Sequence, residues 1–289
     1  MSHHTISAPG ITATIKSDGA ELCSLKNAAG VELLWQAGPA WPRHAPILFP
    51  IVGRLKNDEL HHDGKTYPMT QHGFARDLPF DWIEQGPQSC TLQLEDSTAT
   101  RSRYPFAFRL GVTYTARENQ LEVTLALTNS GDVVLPASIG DHPAFNWPLA
   151  AGRPKESYTV TFSNPETAPV RRLKDGLLRA APEPTPIAGD ALALSERLFD
   201  DDAIILDKPA STSVRYAAAT GPSIEVSWQG FRELGLWSKL GGAAFLCIEP
   251  WRGFASPAEF DGEFADKPGV MHLGPGETNR LMYRIGVSV

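Results

Sequence analysis

No stretch of this chain approaches the roughly 20 consecutive apolar residues that a bilayer-spanning helix needs. Residues 1–10 also lack the apolar core of a signal peptide, so a soluble cytoplasmic protein without a membrane partner is expected. Cysteine is scarce. The three thiols, Cys23, Cys90 and Cys247, are odd in number and far apart in a chain of 289 residues. They read as reduced core or near-core thiols rather than staples, and none sits in a motif that would activate a nucleophile. Basic charge is short as well: 26 Lys and Arg face 33 Asp and Glu, and they are scattered. A nucleic-acid footprint would be basic and clustered, so nucleic acid is not an expected partner.

The recurrent cofactor signatures are missing too. The sequence holds no phosphate-cradling G-x-x-x-x-G-K-[ST], no dinucleotide G-x-G-x-x-G after a strand, no G-x-S-x-G elbow and no H-E-x-x-H. His61 and His62 are adjacent, and neighbours on a strand point to opposite faces, so they do not form a metal pair. Neither a cofactor nor a metal is expected. Helical periodicity is nearly absent, the best candidate being a short turn at residues 195–199 with Ser195 as a possible cap.

What the chain does carry is alternation. Leu121, Val123, Leu125 and Leu127 lie on one face of a run whose other face is mostly polar, the period-2 mark of a half-buried strand. Leu110, Val112 and Tyr114 repeat it upstream, with a hairpin turn expected over residues 116–119, and Leu281, Tyr283, Ile285 and Val287 repeat it near the end. Asp63-Gly64 marks a tight hairpin because both positions tolerate positive φ. Ser17-Asp18-Gly19 and residues 27–30 punctuate the first strands likewise. The proline-rich segment 164–190 reads as an irregular excursion, since strand-like sequence resumes on both sides. The expectation is an all-β protein, one large antiparallel sandwich over residues 1–289 with few short helices.

Several residues can carry chemistry. His72, at an expected strand end beside Gln71, titrates near neutrality and suits proton transfer or donation to a sugar hydroxyl; it could equally be tied into backbone hydrogen bonds. His142 lies among Asp141, Phe145, Asn146 and Trp147, a polar and aromatic mixture that fits a sugar site or a sandwich end. Glu249 ends the apolar run Phe245-Leu246-Cys247-Ile248, where a carboxylate is expensive unless paired or functional, and burial there would raise its pKa toward general-base values. Arg54 and Arg76 offer planar forks of donors for a hydroxyl or an anion, with a structural salt bridge as the alternative and Asp77 the evident partner for Arg76. Asp200-Asp201-Asp202 could orient hydroxyls, bind a cation or form a solvated strand entry. Trp147, Trp237 and Trp251 could serve as stacking platforms.

Taken in order, Pro50-Ile51-Val52-Gly53-Arg54, Gln71-His72-Gly73-Phe74-Ala75-Arg76, Asp141-His142-Pro143-Ala144-Phe145-Asn146 and Glu249-Pro250-Trp251 resemble the aldose 1-epimerase (galactose mutarotase) family, most closely its LacX-like branch. The likeness covers essentially the whole chain. It implies a galactose-mutarotase-like β-supersandwich and an isomerase that interconverts the α and β anomers of a hexose, with a monosaccharide or sugar-phosphate partner and no cofactor. By the same resemblance His142 corresponds to a general acid toward the ring oxygen, Glu249 to a general base on the anomeric hydroxyl, and His72 to a second, positioning histidine. Arg54 corresponds to a substrate-binding arginine, Asp201 or Asp202 to an acid in a D-x-x-F/I-V-L-like strand, and Gln71, Arg76 and Trp237 complete the expected binding set. The Gln71-His72-Gly73-Phe74-Ala75-Arg76 context is also similar to a hexose-6-phosphate epimerase branch, in which arginines grip a phosphate, and Pro250-Trp251 departs from typical galactose mutarotases. Three expectations therefore stand: a hexose 1-epimerase, a hexose-6-phosphate 1-epimerase, or a non-catalytic carbohydrate-binding protein, as monomer or homodimer.

Overall fold

The computed structural model describes residues 2–288. Among these the largest sheet has nine antiparallel strands, ordered Ala191–Ala193, Tyr158–Phe162, Ser213–Ala218, Ser223–Gln229, Thr278–Ser288, Gln120–Asn129, Phe108–Arg117, Ser89–Glu95 and Asp81–Gln85. Its central strands are the ones the alternation marked. Leu121, Val123, Leu125 and Leu127 are buried and pair with Leu281, Tyr283 and Ile285 on one side and Leu110, Val112 and Tyr114 on the other. The turn between those strands is tighter than expected: both run to Arg117 and Gln120, leaving Glu118, at φ 51°, and Asn119 to reverse the chain.

A second sheet lies against the first. It is built from Ile204–Leu206, Glu233–Trp237, Phe245–Arg252, Ile139–Asp141 and Ile47–Leu48, with Ala144–Asn146 also pairing to Phe245–Arg252. One apolar cluster joins the sheets, drawing Leu234, Leu236, Leu246 and Ile248 from this sheet and Leu125, Tyr283 and Ile285 from the other. Together the two sheets form an antiparallel sandwich. A three-stranded sheet, His3–Ala8, Ile11–Lys16 and Leu22–Asn27, adds Ile11, Ala13 and Ile15 to that core. The Asp63-Gly64 hairpin forms as expected, with φ of 50° and 69° joining Glu59–His62 to Lys65–Pro68.

Helices are few and short. Glu196–Phe199 is a 3-10 turn in which Ser195 occupies the capping position without a side-chain cap bond. A one-turn α-helix, Thr98–Arg101, escaped the periodicity reading because four residues are too few to show a period; a reciprocal capping box between Ser97 and Thr100 starts it. The three thiols are unpaired, with Cys90 and Cys247 buried and Cys23 half-buried, and burial raises all three pKa values.

One buried charge ties the small sheet to the loop that leads toward the cleft. Burial alone would raise the pKa of Glu21, but hydrogen bonds from His44 and Lys16 outweigh it and lower the carboxyl to about 2. Glu21 accepts from the backbone N–H groups of His44 (2.7 Å) and Ala45 (3.0 Å) and pairs with Lys16. Because its pKa falls on folding, its contribution is full above the ordinary carboxyl value and is lost as pH drops toward about 2. Glu21→Gln is therefore expected to cost about 3 kcal/mol in urea unfolding at pH 7. A gap between mutant and wild type that failed to narrow below about pH 4.5 would contradict this assignment.

Candidate active site

The strand Phe245–Arg252 is buried along most of its length, and its two faces do different things. Leu246 and Ile248 point into the core between the sheets. Phe245, Cys247, Glu249 and Trp251 point the other way, onto the outer face of the second sheet. Gly235 and Gly140 in the flanking strands make room for Trp251, since a Cβ at either would come within 2.5 Å of the indole.

Register then selects the partner of Glu249. Gly140 pairs with Trp251 and Ala144 with Cys247, so His142 falls opposite Glu249. His142 Nε2 lies 3.1 Å from Glu249 Oε2, with both residues almost fully buried at 7% and 1% exposure. The contact lacks the alignment of a hydrogen bond, and neither carboxylate oxygen has another partner among the described residues. Burial pushes the Glu249 carboxyl well above its usual range, with Asp202 and Asp141 adding to it and the Trp251 indole opposing. Burial likewise pulls His142 down to about 3. Both shifts favour an uncharged pair that holds one proton between two groups.

Asp141 does not orient the imidazole. Its carboxylate accepts the backbone N–H of His142 at 2.7 Å and the Tyr283 hydroxyl at 2.6 Å, locking the His142 backbone to the opposite sheet. Burial raises that carboxyl to about 8 against both of these bonds. The imidazole itself is fixed by ring packing: Trp41 at 4.8 Å, and Trp237 and His72 at 5.6 Å each, between centroids.

His72 sits at φ 65° in a turn that Gly73 makes possible, because a Cβ on Gly73 would lie 2.2 Å from the Phe49 carbonyl oxygen. The His72 N–H donates to the Gly53 carbonyl (2.7 Å), and the Gly53 N–H donates back to His72 Nδ1 (3.1 Å). An accepting Nδ1 carries no proton, so the neutral ring keeps its hydrogen on Nε2. Desolvation, then the neighbouring His142, Arg76 and Arg43, hold His72 well below its ordinary pKa and hence neutral. The tie to backbone and the capacity to donate thus coexist in one residue.

These groups line a cleft of about 220 Å³ together with Trp41, Gln71, Arg76, Asp202, Trp237 and Trp251. Arg76 donates to the Gln71 carbonyl at 2.6 Å, and its Nε is buried without a hydrogen-bond partner among the described residues. Asp77 is not its close partner. That carboxylate takes Arg43 at 2.7 Å and stands 3.9 Å from Arg76, leaving the guanidinium available to the cleft. Burial and Arg43 lower the pKa of Arg76 to about 10.

Other expected residues point elsewhere. Arg54 spends its fork on Asp58 through two 2.6 Å bonds, and the cleft is lined by its neighbour Gly53 instead. Asp201 pairs with Arg179 at 2.7 Å outside the cleft lining, whereas Asp202, at φ 67°, lies within it. Trp147 is no stacking platform: it is a buried core residue whose Nε1 donates to the Lys155 carbonyl. Trp41 was missed. It arrives from a proline-flanked loop without alternation, so no periodic signal marks it. Leu173 brings part of the proline-rich excursion to the cleft rim.

Two antiparallel sheets with an aromatic-walled acid-base cleft on the outer face of one of them define a mutarotase-like sandwich protein. The chain belongs to the aldose 1-epimerase family, which it matches over residues 2–267. It is 33% identical to protein LacX of Lactococcus lactis subsp. lactis, in plasmid and chromosomal forms, with 96% of each chain covered. A solved galactose mutarotase related enzyme from Lactobacillus acidophilus shares 35% identity at a TM-score of 0.92, covering 100% of this chain and 98% of its own. A galactose mutarotase-like protein from Lactobacillus casei ATCC 334 shares 32% at a TM-score of 0.92, covering 99% and 100%. Membership implies a sugar substrate and an isomerase-type enzyme. Among the described residues no helix is long and apolar enough to cross a membrane.

Proposed function

We propose that the protein is a hexose 1-epimerase in which Glu249 and His142 move the protons of ring opening. The observation that carries this reading is the buried 3.1 Å contact between the two groups at the wall of the cleft. An uncharged Glu249–His142 pair and a carboxylate–imidazolium pair hold the same number of protons, so sugar hydroxyls entering the cleft need only shift one proton between them. In the second form Glu249 takes the proton of the C1 hydroxyl while His142 delivers its own to the ring oxygen. The C1–ring oxygen bond breaks to give the open aldehyde. Rotation about C1–C2 and the reverse transfers close the ring as the other anomer and restore both groups.

His72 donates its Nε2–H toward the ring oxygen, strengthening as charge develops there. Gln71, Arg76 and Asp202 supply hydroxyl partners, and Trp41, Trp237 and Trp251 offer faces to the C–H side of the ring. Anomer-resolved NMR on a panel of freshly dissolved aldoses tests the proposal. Acceleration of at least one sugar is expected; binding seen by tryptophan fluorescence with no acceleration of any would leave a carbohydrate-binding protein.

Arg76 favours a second reading of the substrate. Its nearest carboxylate, Asp77, is bonded to Arg43 and stands 3.9 Å away, so the Arg76 fork at the cleft wall is open to an anionic group of the substrate. If a phosphorylated hexose is the substrate, Arg76→Ala should lower kcat/KM on hexose 6-phosphate about 10- to 150-fold, the loss of one charge-assisted contact, with much less effect on the free sugar. Equal losses on both would remove the phosphate reading.

A further inference from the structure

The face of Phe245–Arg252 that presents Glu249 also presents Cys247, two residues earlier, and the proton-transfer chemistry has no use for its thiol. A nitrogen of His142, Sγ of Cys247 and an oxygen of Glu249 lie within 4.8 Å of one another, all three side chains buried. Both Glu249 oxygens and His142 Nδ1 lack hydrogen-bond partners among the described residues. A buried carboxylate with neither oxygen satisfied is costly, and it is aimed at the imidazole and thiol that would complete a ligand set.

We propose that His142, Cys247 and Glu249 form a binding site for a thiophilic divalent cation of the Zn²⁺ class, and that its occupancy silences the acid-base pair. The donor set is one that zinc takes: a thiolate sulfur, an imidazole nitrogen and a carboxylate oxygen. Two ligands held about 2.0–2.1 Å from a tetrahedral ion stand roughly 3.3–3.4 Å apart. His142 Nε2 and Glu249 Oε2 are already 3.1 Å apart, and the Cys247 sulfur, within 4.8 Å of both ligand atoms, would close the set by moving about 1 Å, to the roughly 3.5 Å that a Zn–S bond of about 2.3 Å requires. Glu249 and His142 both line the cleft, so an ion held between them has an entry path, and a zinc ion with three protein ligands takes water in its fourth position. A cation in this place takes the lone pairs that would accept and relay the sugar's protons. Zinc therefore acts as an inhibitor that competes with the sugar.

The inhibition readout rests on the epimerase reading above; the binding readout does not. Co²⁺ added to the wild-type protein is expected to give a thiolate-to-metal charge-transfer band that is absent from Cys247→Ala and reversed by EDTA. In turnover assays micromolar Zn²⁺ should inhibit wild type reversibly, with the inhibition constant at least about tenfold weaker in Cys247→Ala and the metal-free rate unchanged. Cys247→Ser serves as a second variant. A wild-type protein that turns over sugar but gives no cobalt–thiolate band, or equal zinc inhibition with and without Cys247, overturns the site. Absence of turnover with the band present overturns the epimerase reading alone.

Discussion

Glu249→Gln is expected to lower the anomerisation rate about 10²–10⁴-fold while leaving the protein as stable as wild type or more so. The amide keeps the shape and one acceptor but cannot take a proton. In the wild type the carboxyl sits at 1% exposure with neither oxygen hydrogen-bonded among the described residues, so folding gains little from its charge. Burial instead opposes that charge, which is why its pKa is driven well above the ordinary carboxyl range. Removing the ionisable group relieves this cost, the pattern of a residue retained for activity rather than for stability. Initial rates by anomer-resolved NMR and thermal melts on the same preparations decide the matter. A rate within a few-fold of wild type would end the base assignment, and a large drop in melting temperature would make Glu249 structural.

His142→Asn should produce a loss of similar size, about 10²–10⁴-fold, because the second half of each proton relay disappears. Combined with Glu249→Gln it should cost little more than either change alone, since groups that act as a unit are not additive. The wild-type pH profile carries the sign of the pair. His142 is depressed to about 3, so the second proton that would block the site joins only as pH falls toward that value. Glu249 is raised, so the shared proton is retained above the usual carboxyl range. The rate should therefore stay flat through about pH 6.5, where an ordinary imidazole titrates. An acid limb centred there would mean that His142 is not held neutral in the free enzyme.

Much of this arrangement was legible before the fold was known, and the legible part has a common cause. Leu121 to Leu127 and Leu281 to Val287 became neighbouring central strands because alternation reports which face is buried, and burial is what a sheet is made of. Glu249 stood out because a carboxylate interrupting an apolar strand is costly, and His72 because an imidazole suits proton transfer, although it sits in a turn rather than at the expected strand end. Arg54 and Arg76 looked alike, both being loop arginines with an aspartate near in sequence. The structure separates them: Asp58, four residues on, takes the Arg54 fork in the salt bridge that stood as its alternative, while Asp77, adjacent to Arg76, bonds Arg43 and stands 3.9 Å from Arg76. Trp147 went to the core and the unmarked Trp41 to the cleft, since an aromatic residue in irregular chain carries no period to say which it faces.

The sequence by itself determined an all-β protein, its central strands, its tight hairpins and the residue types able to move protons, because side-chain alternation and turn chemistry act over a few residues. Only the tertiary structure decided which of those residues meet. Pairing of Gly140 with Trp251 and of Ala144 with Cys247 puts His142 across from Glu249, and a register slip of one residue would turn the glutamate into the core. The same pairing buries both groups, and that burial, absent from any local pattern, sets the direction of both pKa shifts.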